Sequence, residues 1–236
     1  MKHKNTQKLT LAAMTAAAYA ALSLLGAVFG LTFGPIQVRF SEALCLLPFL
    51  FPETAWGLGV GCLIANLFSP YGALDIVVGS LSTLIAALLT ARCRSPWTAA
   101  LPPVVCNMVL VGAVLAYETA GTSAAFWPAY GLNALTVGLG EAIACLVLGV
   151  LLALVIKTFA TGARSEDLLG SYICAGIGGA LMAQIAVNVG MNLRLLPVIG
   201  VTLPFYSAGG SSVLMLYICV GLVLSVYMHN TKSLFG

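Results

Sequence analysis

Seven polar or charged side chains interrupt the apolar stretches of this chain, and their types could support ligand binding. A charge at the centre of a bilayer costs about 2.5–3.5 kcal/mol on insertion scales, so such side chains persist where they pair or bind something. Glu141 is the sharpest case, because it lies about ten residues, or roughly 15 Å, into a predicted helix. The predicted substrate-binding set is Arg39, Glu42, Asn66, Asp75, Asn107, Asn133 and Glu141.

On the predicted helices, these side chains all fall in one half of the bundle, which favours a shared pocket open to the outside. Asn107 lies at a depth similar to that of Glu141, and Asn133 lies on nearly the same helix face as Glu141. The alternative is that neighbouring charges neutralise each other and serve only packing. Arg39 and Glu42 could pair in this way, because residues three apart lie on one helix face. For Glu141 we favour binding, because no cation is expected at its depth.

Alanines recur every four residues along the first predicted helix, in two sets that lie on adjacent faces. Small residues allow another helix to approach closely. The spacing fits a docking face for a partner subunit and fits ordinary packing inside the bundle equally well. The candidate docking residues are Ala12, Ala13, Ala16, Ala17 and Ala20.

The sequence predicts no catalytic residue, bound metal or cofactor. None of the seven cysteines forms a CxxC pair, and most lie inside apolar runs, where a cysteine packs as a small apolar residue. The chain contains no HExxH and no GxxxxGK[ST] motif, so no ATP-hydrolysing site of its own is expected. Aromatic residues near the helix ends are typical membrane anchors, although a planar heterocycle could stack on one of Tyr71, Tyr117, Trp127 and Tyr130.

The elements that position these residues are predicted to be transmembrane helices. Of 236 residues, 61% are hydrophobic and only 7% are charged, whereas a soluble domain carries about 25% charged residues. The long charge-free runs approach or exceed the roughly 20 residues that span a bilayer. Gly and Pro punctuation divides the runs, beginning with Gly34-Pro35 after the first helix. The predicted spans are 9–31, 38–51, 54–69, 73–91, 100–117, 130–157, 168–190 and 211–229.

Eight spans place both termini on one side, and the charges predict that this side is the cytoplasm. Only Arg39 and Arg194 then fall outside, which is the positive-inside bias. The net charge of +3 reflects this asymmetry and does not indicate nucleic-acid binding. The cationic residues placed inside are Lys2, Lys4, Lys8, Arg92, Arg94, Lys157, Arg164 and Lys232.

A polar stretch near residues 158–167 divides the chain. The composition predicts a transmembrane domain over 1–158, a cytoplasmic linker over 159–167 and a two-helix segment over 168–236. The first helix follows three lysines, but its apolar run exceeds the roughly 7–15 residues of a signal peptide, so an uncleaved helix is expected.

Four motifs in the first part resemble the QueT family. They are IQVRFSEAL at residues 36–44, GCLIANLFS at 61–69, LDIVVGSLSTL at 74–84 and LNALTVGLGE at 132–141. The resemblance covers roughly residues 5–158. It implies a substrate-binding S component of an energy-coupling-factor (ECF) importer, in a bacterial cell membrane, for a queuosine precursor, which is a deazaguanine base.

The resemblance also implies a fold and partners. The fold would be an all-α, six-helix S-component bundle, here followed by two C-terminal transmembrane helices. The alanine face of the first helix would dock on the transmembrane coupling subunit, and two cytoplasmic ATPases would supply energy. Glu141, Glu42 or Asp75 could accept the N–H donors of a deazaguanine edge as a pair. The amides of Asn66, Asn107 and Asn133 could meet its carbonyl edge.

The tail resembles a second family, the C-terminal end of FtsW/RodA proteins, which polymerise peptidoglycan. The motif NVGMNLRLLPVIGVTLPFYSAGGSS at residues 188–212 carries this resemblance within residues 168–236. It departs from the family at Arg194, where glycine is usual, and at Ala208, where tyrosine is usual. The family's catalytic acid lies in an earlier extracellular loop, so the tail is not expected to polymerise glycan alone. A cell-wall protein fragment is nevertheless the alternative to the transport subunit, and a structural membrane protein without a ligand is a third.

Overall fold

The computed structural model describes residues 2–29, 39–70, 72–192, 195–207 and 209–232. Within these residues all regular structure is helical, in eight segments that match the predicted order. Helices satisfy their own backbone hydrogen bonds, which is the requirement of an apolar solvent. The segments are α1 (Lys2–Val28), α2 (Phe40–Leu50), α3 (Thr54–Asn66), α4 (Gly72–Thr90), α5 (Pro96–Ala120), α6 (Phe126–Ala163), α7 (Leu168–Asn192) and α8 (Gly210–Lys232).

Six of these helices are long and apolar enough to cross a membrane, so the chain is a polytopic helical membrane protein. α2 and α3 differ from the prediction that each segment spans, because they are only 11 and 13 residues long. At 1.5 Å per residue each covers about 20 Å or less, which is shorter than the hydrocarbon core of roughly 30 Å. α2 also begins as a 3₁₀ helix over Phe40–Leu46.

Local sequence signals set the helix ends. Ser95 caps the start of α5 in a reciprocal arrangement with Thr98, and Pro96 occupies the first turn, where a missing N–H has no cost. α5 stops at Gly121, whose φ of 58° favours glycine. α6 extends beyond the predicted span and includes residues 159–163, which were expected to belong to the linker.

The described chain packs as two compact units, residues 1–150 and 151–236. In the first unit, α1 and α3 pack closely because glycines of α3 face alanines of α1. A Cβ at Gly57 would lie 2.1 Å from the Ala12 carbonyl oxygen, and one at Gly61 would lie 2.7 Å from that of Ala16. This contact leads into a buried apolar cluster that includes Tyr19 and Leu58.

Two π-helical turns interrupt the first unit, Asp75–Gly79 in α4 and Ile143–Gly149 in α6. Such turns widen a helix locally and frequently occur at functional sites. Asp75 is the first residue of one turn, and Glu141 lies two residues before the other. Both predicted acids therefore lie at irregular points of their helices.

The second unit is built around a small core of Val155, Leu181 and Leu216. Gly178 allows the Phe159 ring to approach, since a Cβ there would lie 3.0 Å from the ring. The turn at Gly34-Pro35 and residues Tyr71, Arg194 and Ala208, all of which figured in the predictions, lie outside the described residues.

Candidate functional site

The first unit contains a narrow, buried cleft lined by polar side chains from three segments. Arg39 immediately precedes α2 and Glu42 lies in its first turn, Asn107 lies in α5, and Glu141 lies in α6. The apolar walls are Val111 and Val137. All four polar residues were predicted from the sequence, and they come from three separate stretches of the chain.

Glu42 is held in place by donors from its own unit. The Tyr19 hydroxyl donates to Oε1, and the Cys45 thiol donates to Oε2 at 2.8 Å. The Cys145 thiol also donates to the Glu42 backbone oxygen at 3.5 Å. Both carboxyl oxygens of Glu42 thus accept hydrogen bonds from side chains of the same unit. Its position is therefore set before any ligand binds.

Glu141 faces Asn107 and Glu42 across the cleft, within reach of side-chain hydrogen bonds. The Ser82 hydroxyl donates to Asn107 Oδ1 at 2.6 Å. The Asn107 NH₂ group, which has two N–H donors, is therefore on the side that faces Glu141. The expectation that no cation shares the depth of Glu141 is wrong, because Arg39 lines the same cleft.

Asp75 and Asn66 form a second buried group. Asn66 Nδ2 donates to the Asp75 backbone oxygen at 3.2 Å, and the Ser69 hydroxyl donates to Asp75 Oδ2 at 2.5 Å. Asp75 Oδ1 is buried and has no hydrogen-bond partner among the described residues. Asp75 interacts electrostatically with Arg39, which connects this group to the cleft. A Cβ at Gly79 would lie 2.7 Å from Asn66 Nδ2, so only glycine leaves room for this arrangement.

Asn133 and the alanines of α1 are arranged differently from the central set. Asn133 is partly exposed and does not line the cleft. Ala16 and Ala20 are buried, and Ala12 contacts α3, so packing inside the bundle accounts for these three. Ala13 and Ala17 are exposed on the adjacent face of α1 and remain candidates for docking.

Sequence reasoning missed the residues that hold the cleft side chains in place, namely Tyr19, Ser82, Cys45 and Cys145. The cysteines were interpreted as apolar packing residues, and two of them contact Glu42. A signal was present for Tyr19, because a tyrosine in mid-helix lies far from the interfaces where tyrosines anchor. Its hydroxyl needs a buried partner, and a glutamate supplies one.

The aromatic residues at the turn between α5 and α6 form a separate cluster. Phe126 and Tyr130 stack with ring centroids 6.1 Å apart, and Trp127 packs edge-on against both rings. Trp127 is 74% exposed, as an interfacial anchor would be. Together with Tyr117 and the turn residues, these rings line a shallow surface depression.

As the helices stand, the space between the cleft side chains is about the size of one water molecule. A ligand as large as a heterocyclic base would therefore have to separate the side chains. Within the described residues, no group of three or more His, Cys, Asp or Glu side chains is arranged to hold a metal.

Residues 137–232, which include most of the tail, match a family model that is described as a cell cycle protein and includes FtsW, RodA and SpoVE. A "Probable peptidoglycan glycosyltransferase FtsW" of Thioalkalivibrio sulfidiphilus is 40% identical over 80 residues, covering 33% of this chain and 20% of that protein. "Stage V sporulation protein E" of Bacillus subtilis is 40% identical over 66 residues, covering 28% and 18%. The chain spans about a fifth of the length of these curated relatives.

No solved structure matches the chain. The model of the QueT transporter family matches residues 9–158, which is more than half of the chain and includes every residue of the cleft. The resemblance of the four sequence motifs is confirmed by this match. The chain belongs to the QueT transporter family.

Proposed function

We propose that residues 9–158 form the substrate-binding subunit of an ECF importer and that the substrate is a deazaguanine base, a queuosine precursor. The observation that carries the proposal is the convergence of Arg39, Glu42, Asn107 and Glu141 on one buried cleft. Side chains of this kind are unfavourable in an apolar protein interior unless they are paired or bind something. Membership of a transporter family supplies the class of function.

The contacts of the acids support different roles for them. Both oxygens of Glu42 already accept hydrogen bonds from its own unit, so Glu42 shapes the cleft. Glu141 contacts Asn107, which is itself oriented by Ser82, and can exchange this contact for a ligand. We assign to Glu141 the acceptance of paired N–H donors from the base, and to Asn107 a contact with its carbonyl edge.

The test is ligand binding to the purified full chain in detergent or nanodiscs. Deazaguanine bases should stabilise the protein thermally, because a ligand that binds only the folded state shifts the unfolding equilibrium. Replacing Glu141 with Gln keeps the size and removes one acceptor, so affinity should fall about tenfold or more. The matched control is Glu118→Gln, an exposed acid on α5, which should leave affinity unchanged.

A folded protein that no deazaguanine base stabilises would exclude this substrate. If the Glu141→Gln and Glu118→Gln proteins lost equal affinity, the role assigned to Glu141 would be wrong, but the proposed substrate would not be affected. Measuring unfolding temperatures without ligand separates a loss of folding from a loss of binding.

The partners and the location belong to the same proposal. A transmembrane coupling subunit would dock on α1, and two cytoplasmic ATPases would drive transport. The protein would lie in the bacterial cell membrane with both termini in the cytoplasm, since this orientation satisfies the positive-inside bias. The substrate-binding subunit itself would not be an enzyme.

The tail offers the alternative of a cell-wall function, favoured by its 40% identity to part of an FtsW protein. That match covers only 20% of the relative, so its activity does not transfer to the tail without a test. The test of this alternative is to incubate the purified chain with lipid-linked peptidoglycan precursor and to measure the formation of glycan polymer. We expect no polymer, and the formation of glycan chains would make the enzyme interpretation correct.

A further inference from the structure

A stripe of side chains on α6 leads from the exposed N-terminal end of the helix to the cleft. Its members follow one another at spacings of three or four residues, which places them on one helix face. They are Trp127, Tyr130, Asn133, Val137 and Glu141. Trp127 is 74% exposed, the next two members are partly buried, and Val137 and Glu141 are each 5% exposed. The stripe therefore runs from the surface of the unit into the cleft.

Asn133 is the member of this stripe that membrane anchoring does not explain. It lies seven residues after the start of α6, or about 10 Å into the helix. Among the described residues, its backbone oxygen accepts from the Thr136 hydroxyl and its side-chain amide has no partner. An amide that faces lipid at this depth is unfavourable, whereas an amide beside the path of a polar ligand exchanges hydrogen bonds with it.

The exposed end of the stripe borders the shallow depression at the turn between α5 and α6. The rings of Tyr117, Phe126 and Trp127 line it, together with the exposed hydroxyl-bearing residues Thr122 and Ser123. The α6 rings hold one another in place by stacking and edge contacts. The volume of the depression is about 300 Å³, at the lower end of the roughly 300–1,000 Å³ of small-molecule sites. Rings and hydroxyls around one hollow fit a flat heterocycle with polar edges.

We infer that this depression is a second, weaker binding site for the base, here called the capture site, and that Asn133 lies on the path from it to the cleft. The inference rests on the proposed function and adds a site outside the cleft. Because the closed cleft has space for about one water molecule, an arriving base needs a position outside it until the side chains separate. The base stacks first on Trp127, exchanges a hydrogen bond with Asn133 and then reaches Glu141.

The competing explanation is that the rings only anchor the helix ends at the membrane interface. Binding kinetics separate the two, because a capture site on the path changes both rates and leaves the final complex in the cleft unchanged. Replacing Trp127 with Ala should lower kon and koff for a deazaguanine base by the same factor, about fivefold or more, and keep Kd within about twofold. Asn133→Ala should act in the same way. The control is Trp97→Ala, which removes an exposed ring from the opposite end of α5 and should keep both rates.

Unchanged rates in either the Trp127→Ala or the Asn133→Ala protein would overturn the inference and leave the proposed function intact. Faster release from the Trp127→Ala protein at an unchanged kon would also overturn it, since the ring would then belong to the final site. If no deazaguanine base binds the folded, unmodified chain, the proposed function itself fails.

Fluorescence observes the capture site directly. Replacing Trp56 and Trp97 with Phe leaves Trp127 as the single tryptophan of the full chain. Unsubstituted deazaguanine should quench its emission in a fast phase that saturates at least about tenfold above the Kd of the cleft. This phase should persist after Glu141→Gln, which weakens binding in the cleft. A protein with Trp97 as its single tryptophan is the control and should not be quenched. Loss of the fast phase after Glu141→Gln would show one site instead of two and overturn the inference.

Discussion

At the scale of single residues, the hydrogen bond from Tyr19 to Glu42 connects the core of the first unit to the cleft. Tyr19 is fully buried and belongs to the apolar cluster between the helices. Its hydroxyl is therefore both a satisfied buried group and a support for the acid. Loss of this one oxygen affects folding and binding through the same contact.

Replacing Tyr19 with Phe should lower the free energy of unfolding by about 1–3 kcal/mol, because an acceptor on Glu42 is left unsatisfied. Ligand affinity should also fall, since Glu42 loses a constraint on its position. Unfolding in denaturant and calorimetry of the same protein measure the two effects. Tyr172→Phe, which removes an exposed hydroxyl, is the control. A Tyr19→Phe protein as stable as the unmodified chain would show that the hydrogen bond has no net value.

At the scale of elements, the spacing between α1 and α3 depends on two glycines. Gly57 faces the α1 backbone so closely that a Cβ would lie 2.1 Å from the Ala12 carbonyl oxygen. Because the clashing atom belongs to backbone, no side-chain rotation can relieve it. The helices would have to separate, and the cluster around Tyr19 would lose contacts.

Gly57→Ala should therefore destabilise the protein by about 1–3 kcal/mol, within the range of overpacked sites. Gly131→Ala is the matched control, because a Cβ there meets nothing within 4 Å. That change should be neutral or slightly stabilising, since alanine favours helix over glycine. Unfolding curves of both proteins give the comparison, and similar stabilities would contradict the close contact between α1 and α3.

The exposed face of α1 carries a separate prediction. Ala13 and Ala17 are exposed, and we expect them to contact the coupling subunit. Ala17→Leu should keep ligand binding and abolish copurification with the coupling subunit, because a larger side chain prevents close helix approach. Ala183→Leu, at an exposed alanine of α7, should leave the complex intact. Undiminished copurification of the Ala17→Leu protein would remove this face from the interface.

At the scale of the whole molecule, the lengths of α2 and α3 raise the question of topology. With 11 and 13 residues, neither segment reaches across the hydrocarbon core by itself. The two short helices are joined by three residues. Whether both of them cross the membrane or neither does, the total number of crossings stays even. The expected orientation, with both termini on one side, is therefore the same in either case.

A C-terminal fusion tests this orientation. Green fluorescent protein attached after residue 236 should fluoresce in bacteria, and alkaline phosphatase attached there should be inactive, because both termini are expected in the cytoplasm. A fusion after residue 122, in the turn between α5 and α6, should give the opposite pattern. Active phosphatase at the C-terminus would reverse the assignment.

The sequence by itself was sufficient to predict the helical membrane class, the order of eight segments and the acids of the cleft. These features follow from local properties, namely the length of apolar runs, the Gly and Pro breaks and the cost of a charge such as Glu141 in hydrocarbon. Family membership followed from contiguous motifs that can be recognised without coordinates.

Only the tertiary structure decided which side chains meet. Arg39 lies beside Glu141 although 102 residues separate them in the chain, and helix spacing gives no information on pairing between helices. Helical periodicity alone did not reveal that Ala12 and Ala16 face α3 whereas Ala13 faces outward. Which face of a helix is buried depends on its neighbours, because packing is a property of pairs of surfaces.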